Sequence, residues 1–207
     1  MDFLLNQNIL LYLSAYILSS IPFGYILAKI FAGVDVKNEG SGNIGATNVI
    51  RVVKLKDPSL AKKLGIATFI LDALKGVLIL LIAMALDSTQ SVLWTIAVLS
   101  VMGHCFSIFL SFEGGKGVAT GFGVLATMMP IPAVIAISFW AITSKFVKIS
   151  FLSAFVGVYS FVALSYAFYP IVDEIGSHAP IWIVALTISY KHIPNVMSYF
   201  QTQKSNS

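Results

Sequence analysis

Seven predominantly apolar runs divide the chain, at about 9–31, 64–86, 91–111, 117–129, 131–144, 149–169 and 179–190. Runs of this kind predict membrane helices. Only Met129-Pro130-Ile131-Pro132 separates the fourth run from the fifth. Its two prolines each remove a backbone donor and favour a turn, so the runs are read as separate helices. The runs 117–129, 131–144 and 179–190 are short. A helix the length of 117–129 covers about 20 Å, against a hydrocarbon core of roughly 30 Å. Half-length helices persist where their ends sink into protein or line a wet cavity. Both 117–129 and 179–190 abut polar loops on the side expected to be cytoplasmic, which predicts a site recessed into that membrane face.

Charge placement sets the orientation. With the amino terminus outside, Lys29, Lys37, Arg51, Lys54, Lys56, Lys62, Lys63, Lys116, Lys145, Lys148, Lys191 and Lys204 all fall on the cytoplasmic side. The outer segments 1–8, 87–90, 130–132 and 170–178 contain no Lys or Arg, as the positive-inside rule requires. Merging the fourth and fifth runs would turn Lys145 and Lys148 outward. The expected fold is an all-α integral membrane protein with seven transmembrane helices, some short, its N-terminus outside and its C-terminus cytoplasmic.

Composition agrees with that expectation. The 207 residues are 57% hydrophobic and 11% charged, with mean hydropathy +0.88. Soluble domains average about 25% charged, so too few polar side chains are available here to cover a water-facing surface. The first run reads as a retained span. No positive charge precedes it, it exceeds a signal core, and no clean small-x-small cleavage site follows. No internal repeat appears, so residues 1–207 read as one polytopic domain. The polar tail 201–207 is expected to be disordered. The lone Cys105 cannot form an internal disulfide and reads as a small buried apolar residue. No His/Cys/carboxylate cluster has metal-ligand spacing. Neither metal, cofactor nor nucleic acid is expected as a partner; the lipid bilayer is. Oligomeric state is left open.

The polar stretches between the runs contain the candidate chemistry. Gly40 to Arg51 reads GSGNIGATNVIR and matches the G-x-G-x-x-G turn of dinucleotide-binding folds. That turn needs a strand before it and an acidic residue about 20 positions later. Here a membrane helix and Asp35-Val36-Lys37-Asn38-Glu39 precede it, Asp57 comes too early, and Asp72 lies in the next span. A nucleotide site is therefore excluded. Gly40, Gly42 and Gly45 still permit a backbone nest for an anion. Ser41, Asn43, Thr47 and Asn48 add neutral donors, and the Arg51 guanidinium suits a pair of phosphate oxygens. The plainer alternative is a glycine-rich turn at a helix start, with Arg51 reaching lipid headgroups.

A second loop, Phe112-Glu113-Gly114-Gly115-Lys116-Gly117-Val118-Ala119-Thr120, is not a Walker loop, because Gly117 follows Lys116 where Ser or Thr is needed. Gly114, Gly115 and Gly117 stand at a helix start, where free N–H groups and the dipole attract an anion, and Lys116 adds a point charge. Thr120 completes that group of candidate phosphate ligands. The third element is Tyr190-Lys191-His192-Ile193-Pro194-Asn195, where the last run ends. His192 can donate to phosphate or take a proton, or serve simply as an interfacial polar residue.

Other polar residues read as architecture. Asp72 and Lys75 lie three apart on one helix face and can neutralise each other inside the bundle, an ion pathway being the alternative. Ser20, Gly24 and Ala28, and likewise Gly117 and Gly121, form small-residue stripes for close helix packing. His104 reads as a helix-to-helix hydrogen bonder, and His178 is given no role.

Taken in order, GSGNIGATNVIR (40–51), LDALKG (71–76), GHCFSIFLSFEGGKGVAT (103–120) and KHIPNV (191–196) resemble the bacterial acyl-phosphate:glycerol-3-phosphate acyltransferase family. The resemblance covers the chain in length and span order. It implies a seven-span fold with a cytoplasmic-face active site, in the bacterial inner membrane. The implied reaction is transfer of a fatty acyl group from acyl phosphate to the first hydroxyl of glycerol 3-phosphate, giving lysophosphatidic acid and phosphate. It further implies that Ser41 and Arg51, Lys116, and His192 and Asn195 bind the substrates' phosphates and order the reacting hydroxyl. Departures from the family pattern are Ser107, Ser111, Ile193 and Lys148; the last either raises phosphate affinity or marks altered substrate handling.

The chemistry so implied fits what the chain lacks. An acyl phosphate is already activated, so no covalent nucleophile is needed, and neither a G-x-S-x-G elbow nor an H-x-x-x-x-D pair is present. Positioning two anions and stabilising the leaving phosphate remain, as tasks for Arg51, Lys116 and the loop N–H groups. The hydroxyl proton is left to His192 or to a substrate phosphate oxygen. A transporter of organic phosphates is one rival reading, since broken helices and cationic loops also suit carriers; a non-catalytic membrane scaffold is the other, and it leaves the three polar loops unexplained.

Overall fold

The computed structural model describes residues 6–172 and 174–205. Among them the chain is all helical: α1 (Gln7–Ser19), α2 (Phe23–Ala32), α3 (Ala46–Val53), α4 (Pro58–Ala85), α5 (Gln90–Cys105), a 3-10 turn (Ile108–Leu110), α6 (Val118–Met128), α7 (Pro130–Phe146), α8 (Ser150–Phe168) and α9 (Ala179–Ser205). Among the described residues four stretches are long and apolar enough to cross a membrane: Gln7–Ala32, Pro58–Ala85, Gln90–Leu110 and Ser150–Phe168. The helices α6 and α7 are apolar and shorter.

Local chemistry sets the breaks. The first apolar run, 9–31, is two helices, because Pro22 has no N–H to continue the ladder and α1 ends at Ser19. α2 stops at Gly33, whose φ of 63° is the left-handed cap glycine allows. The side chain of Asp57 accepts from the N–H groups of Ser59 and Leu60, and Pro58 occupies the first turn, so α4 starts there. Met129, at φ −141° and ψ 78°, ends α6 and begins α7, and Pro130 opens the new helix. The fourth and fifth runs are thus separate helices. α9 continues through Pro194 to Ser205, taking in most of the tail whose polarity predicts disorder. No glycine or further proline interrupts 195–205; residues 206 and 207 lie outside the described ones.

Two cores hold the molecule. The larger joins α1, α4, α5, α6 and α9 through residues such as Leu11, Leu80, Ile96, Val101, Val124, Val184 and Ile188. α7 and α8 pack on its flank through Ala133, Ala136 and Phe161. Outside this bundle, Leu10, Leu13 and Ile17 of α1, Ile66, Ile70, Leu74, Leu78 and Leu81 of α4, and Val134 and Ile142 of α7 point outward. So large an apolar surface belongs against lipid.

The smaller core explains why the polar stretch 32–63 has a defined shape. Val34, Val36 and Ile44 of the loop meet Val49, Val52 and Val53 of α3 over Ala28, Ala61 and Leu64. Burying a valine contributes roughly 2 kcal/mol, which pins α3 onto α2 and α4. The small-residue stripe allows this approach: a Cβ at Gly24 would collide with the carbonyl oxygen of Ile44 and press on Thr68 of α4. Arg51 is left exposed on the other side of α3.

Candidate active site

The three polar elements converge. An open cavity of about 800 Å³ is lined by Ser41, Asn43, Gly45, Thr47, Asn48 and Arg51, by Lys116 and Gly117, and by His192 and Asn195. An adjoining cleft of about 790 Å³ shares Ser41, Asn43, Lys116 and Asn195 and adds Gly42 and Gly114. At the rim, Lys37 and Glu113 approach to 3.7 Å and bridge the first loop to the second.

The first loop is held by Asn48, which is 2% exposed. Its Oδ1 accepts from the Ser41 N–H at 2.8 Å, and its Nδ2 donates to the carbonyls of Val36 and Glu39, each at 3.0 Å. Asn48 borders the cavity, but its amide braces the loop, where the sequence suggested a phosphate donor. Two N–H groups of the expected nest are bonded within the loop. Gly42 N–H is bonded to the Glu39 carbonyl at 3.2 Å, and Gly45 N–H to Asn43 Oδ1 at 3.3 Å. From this segment Ser41, Asn43, Gly45, Ala46, Thr47 and Arg51 line the cavity beside Asn48. Gly40, at φ 67°, turns the chain against Asn48 and Val52 and does not line it.

The second loop lies on the end of α5. Gly114 N–H donates to the Cys105 carbonyl at 3.1 Å and Gly115 N–H to the His104 carbonyl at 3.0 Å. A side chain at Gly115 would strike the His104 ring, so glycine is required for this seating. Lys116 is carried over the cavity as a result. Thr120 does not line the cavity: it is fully buried, and its hydroxyl donates to the Asp72 carbonyl at 2.7 Å, joining α6 to α4. Lys148 is exposed in the link between α7 and α8 and does not line the cavity.

His192 lies beyond the apolar run 179–190, 1% exposed, with the Phe155 ring edge-on at 5.6 Å. Its Nδ1 stands 2.8 Å from the Ile188 carbonyl oxygen. A carbonyl only accepts, so Nδ1 carries the proton and Nε2 keeps a lone pair. Burial pushes the imidazole down to about 4; the bond to Ile188 opposes this and the Lys116 charge adds to it. Asn195 follows on the same face of α9.

Charge defines what the cavity takes. Neither Arg51 nor Lys116 has a carboxylate partner among the described residues. Burial, with the Arg51 charge beside it, pushes the Lys116 ammonium down to about 8. Cations held together without a counterion call for an anion. A third cavity, about 450 Å³ and apolar, is lined by Phe122, Leu125, Ala136, Gly157, Phe161 and Ile188. It shares Val118, Trp140 and Ala154 with the polar cavity, so the two share a wall.

Several lining residues carry no sequence signal. Trp140, Phe69 and Ala154 come from apolar runs, and Ser150 opens α8 without a motif. Asp72 and His104, read as architecture, form part of the floor.

A cationic cavity sharing a wall with an apolar one, within a bundle of membrane-length helices, defines a membrane protein whose site suits an anionic molecule with an apolar tail. The chain matches the family described as Glycerol-3-phosphate acyltransferase over residues 9–202. It is 56% identical to the glycerol-3-phosphate acyltransferase of Campylobacter concisus, over 92% of this chain and 94% of that one. To the enzyme of the same name from Sulfurimonas denitrificans it is 50% identical, over 99% and 98%. Among solved structures it is similar to PlsY (YgiH), an integral membrane glycerol 3-phosphate acyltransferase. The glycerol 3-phosphate form aligns with TM-score 0.82 at 32% identity, covering 95% of this chain and 94% of that one. The lysophosphatidic acid form aligns at 0.77 and 31%, covering 95% and 93%.

The chain belongs to the glycerol-3-phosphate acyltransferase family. It is a multi-pass integral membrane acyltransferase of phospholipid biosynthesis, and the transporter reading gives way to that one.

Proposed function

We propose that the polar cavity holds glycerol 3-phosphate beside the phosphate of an acyl phosphate, whose chain lies in the apolar slot. The observation carrying this reading is the pair of cations without a carboxylate partner, Arg51 and Lys116, in a cavity that shares a wall with that slot. Arg51 holds one phosphate with its planar fork, Lys116 neutralises the other, and Ser41, Asn43 and Thr47 supply neutral donors. The first hydroxyl of glycerol 3-phosphate adds to the acyl carbon, the bond from that carbon to the phosphate oxygen breaks, and inorganic phosphate leaves. The hydroxyl proton goes to Nε2 of His192, and Asn195 orients the acceptor beside it. Lys148, exposed near Ser150, contributes only long-range attraction.

In membrane terms the same reading places seven spans in one polytopic domain. The short helices α6 and α7 and the first part of α9 complete the count begun by the four longer stretches. The amino terminus is outside and the site opens to the cytoplasmic face of a bacterial inner membrane. The one-sided distribution of Lys and Arg supports this.

The test is donor choice. Purified protein incubated with glycerol 3-phosphate should form lysophosphatidic acid from palmitoyl phosphate and none from palmitoyl-CoA or palmitoyl acyl carrier protein. Equal turnover of a thioester would overturn the donor assignment.

A further inference from the structure

The polar cavity ends on a buried cluster that the roles above leave unused. Asp72 and Lys75 of α4 pair at 3.0 Å, each side chain 3% exposed. Lys75 Nζ also donates to the Ile21 carbonyl at 3.1 Å, at the break between α1 and α2. The same nitrogen stands 2.8 Å from Nδ1 of His104 on α5. An ammonium donates and cannot accept. Nδ1 of His104 therefore carries a lone pair, and the proton of the neutral ring sits on Nε2. Nε2 points the other way, against Gly115, where any side chain would collide with it. Among the described residues no protein group accepts from Nε2, although His104 is 3% exposed. His104 nonetheless lines the polar cavity. An N–H that meets no acceptor of the protein, on a residue that lines a cavity for anions, is a donor available to a ligand.

We propose that His104 is a further catalytic residue, its Nε2–H donating to the acyl carbonyl oxygen of the donor as negative charge gathers there. The assignment rests on the acyl-phosphate reading above. Lys75 fixes the tautomer and Asp72 balances Lys75, so the ring presents a fixed neutral donor and keeps its proton throughout. The hydroxyl oxygen bonds to the carbonyl carbon, the carbon–oxygen bond to phosphate breaks, and the hydroxyl proton leaves through His192. A donor fixed before reaction needs no reorganisation when charge develops. The backbone carbonyl of His104 also accepts from Gly115 N–H, so one residue sets the spacing between this donor and the Lys116 charge.

Two substitutions separate donation from support. His104→Asn keeps an oxygen that can accept from Lys75 and removes the group at Nε2. His104→Gln returns an amide N–H close to the Nε2 position. With palmitoyl phosphate and saturating glycerol 3-phosphate, His104→Asn should lose about 100-fold in kcat, with KM for glycerol 3-phosphate unchanged. His104→Gln should recover about tenfold of that loss. Wild-type kcat in the Asn variant, or no recovery in the Gln variant, would overturn the donor role. The chain has three histidines, so nitrogen-15 histidine spectra of the wild-type protein give an answer independent of how the variants fold. They should show His104 with its proton on Nε2, and its signal should move when a non-hydrolysable acyl phosphonate is added. A proton on Nδ1, or an unmoved signal, would overturn the proposal. Failure of the donor assignment itself would appear separately, as wild-type protein inactive with acyl phosphate.

Discussion

Lys116 should give the reaction an alkaline limit at an unusually low pH. Burial and the neighbouring Arg51 charge bring its ammonium down to about 8, where an ordinary lysine titrates near 10.4. The sign follows from which form is charged: as pH rises through 8 the free enzyme loses a cation, and phosphate binding weakens. For one titrating group at 8, the protonated fraction falls about tenfold between pH 7 and pH 9, against a few per cent for an unshifted lysine. kcat/KM for glycerol 3-phosphate, which reports the free enzyme, should fall by that tenfold factor. kcat should hold to higher pH, because bound phosphate favours the ammonium and restores the charge. Lysophosphatidic acid formation is the quantity to follow, since acyl phosphates hydrolyse in alkali and release phosphate without the enzyme. Lys116→Arg replaces the group by one that stays charged above pH 12, so its residual activity should show no limb between pH 7 and 9. A flat wild-type profile to pH 9.5, or the same limb in Lys116→Arg, would refute the assignment.

Three further outcomes follow from the geometry. If Nε2 of His192 takes the hydroxyl proton, His192→Ala should lower kcat at saturation of both substrates by about 10²–10⁴-fold; a change confined to KM would make it a binding residue. Asn48→Ala removes three hydrogen bonds within the first loop, so it should lower thermal stability by about 2–3 kcal/mol, seen in detergent melts, and activity should fall with it. An Asn48→Ala protein that melts like wild type but does not bind glycerol 3-phosphate would return Asn48 to the role of ligand. Ala136→Leu adds bulk to the apolar slot and should penalise long donors more than short ones. Displacing two or three methylenes at about 0.8 kcal/mol each predicts roughly a 30-fold shift in kcat/KM between palmitoyl and octanoyl phosphate.

What the sequence makes legible here is residue type and order; what it hides is direction. The apolar runs located the helices because a lipid-facing surface tolerates few charges, and the loop motifs located the cavity because glycine-rich stretches holding a cation stand out between such runs. The break at Pro22 lay inside an apolar run, so hydropathy alone did not divide it, although the proline does so physically. Asn48 and Thr120 are polar residues within or beside the right motifs, yet one braces its own loop and the other ties α6 to α4. Nothing in residue type distinguishes a donor aimed at a ligand from one aimed at a carbonyl. Trp140, Phe69 and Ser150 reach the cavity through the packing of α4, α7 and α8, and their types are ordinary for spans. Asp72 and Lys75 were readable as a self-neutralising pair because their spacing put them on one helix face. His104 was readable as a helix-to-helix bonder, and Lys75 does bond it across α4 and α5. That bond has a consequence spacing alone could not supply: once Nδ1 accepts from Lys75, the other nitrogen must donate. On the proposal above, a pair of charges buried inside the bundle sets which proton His104 offers to the cavity.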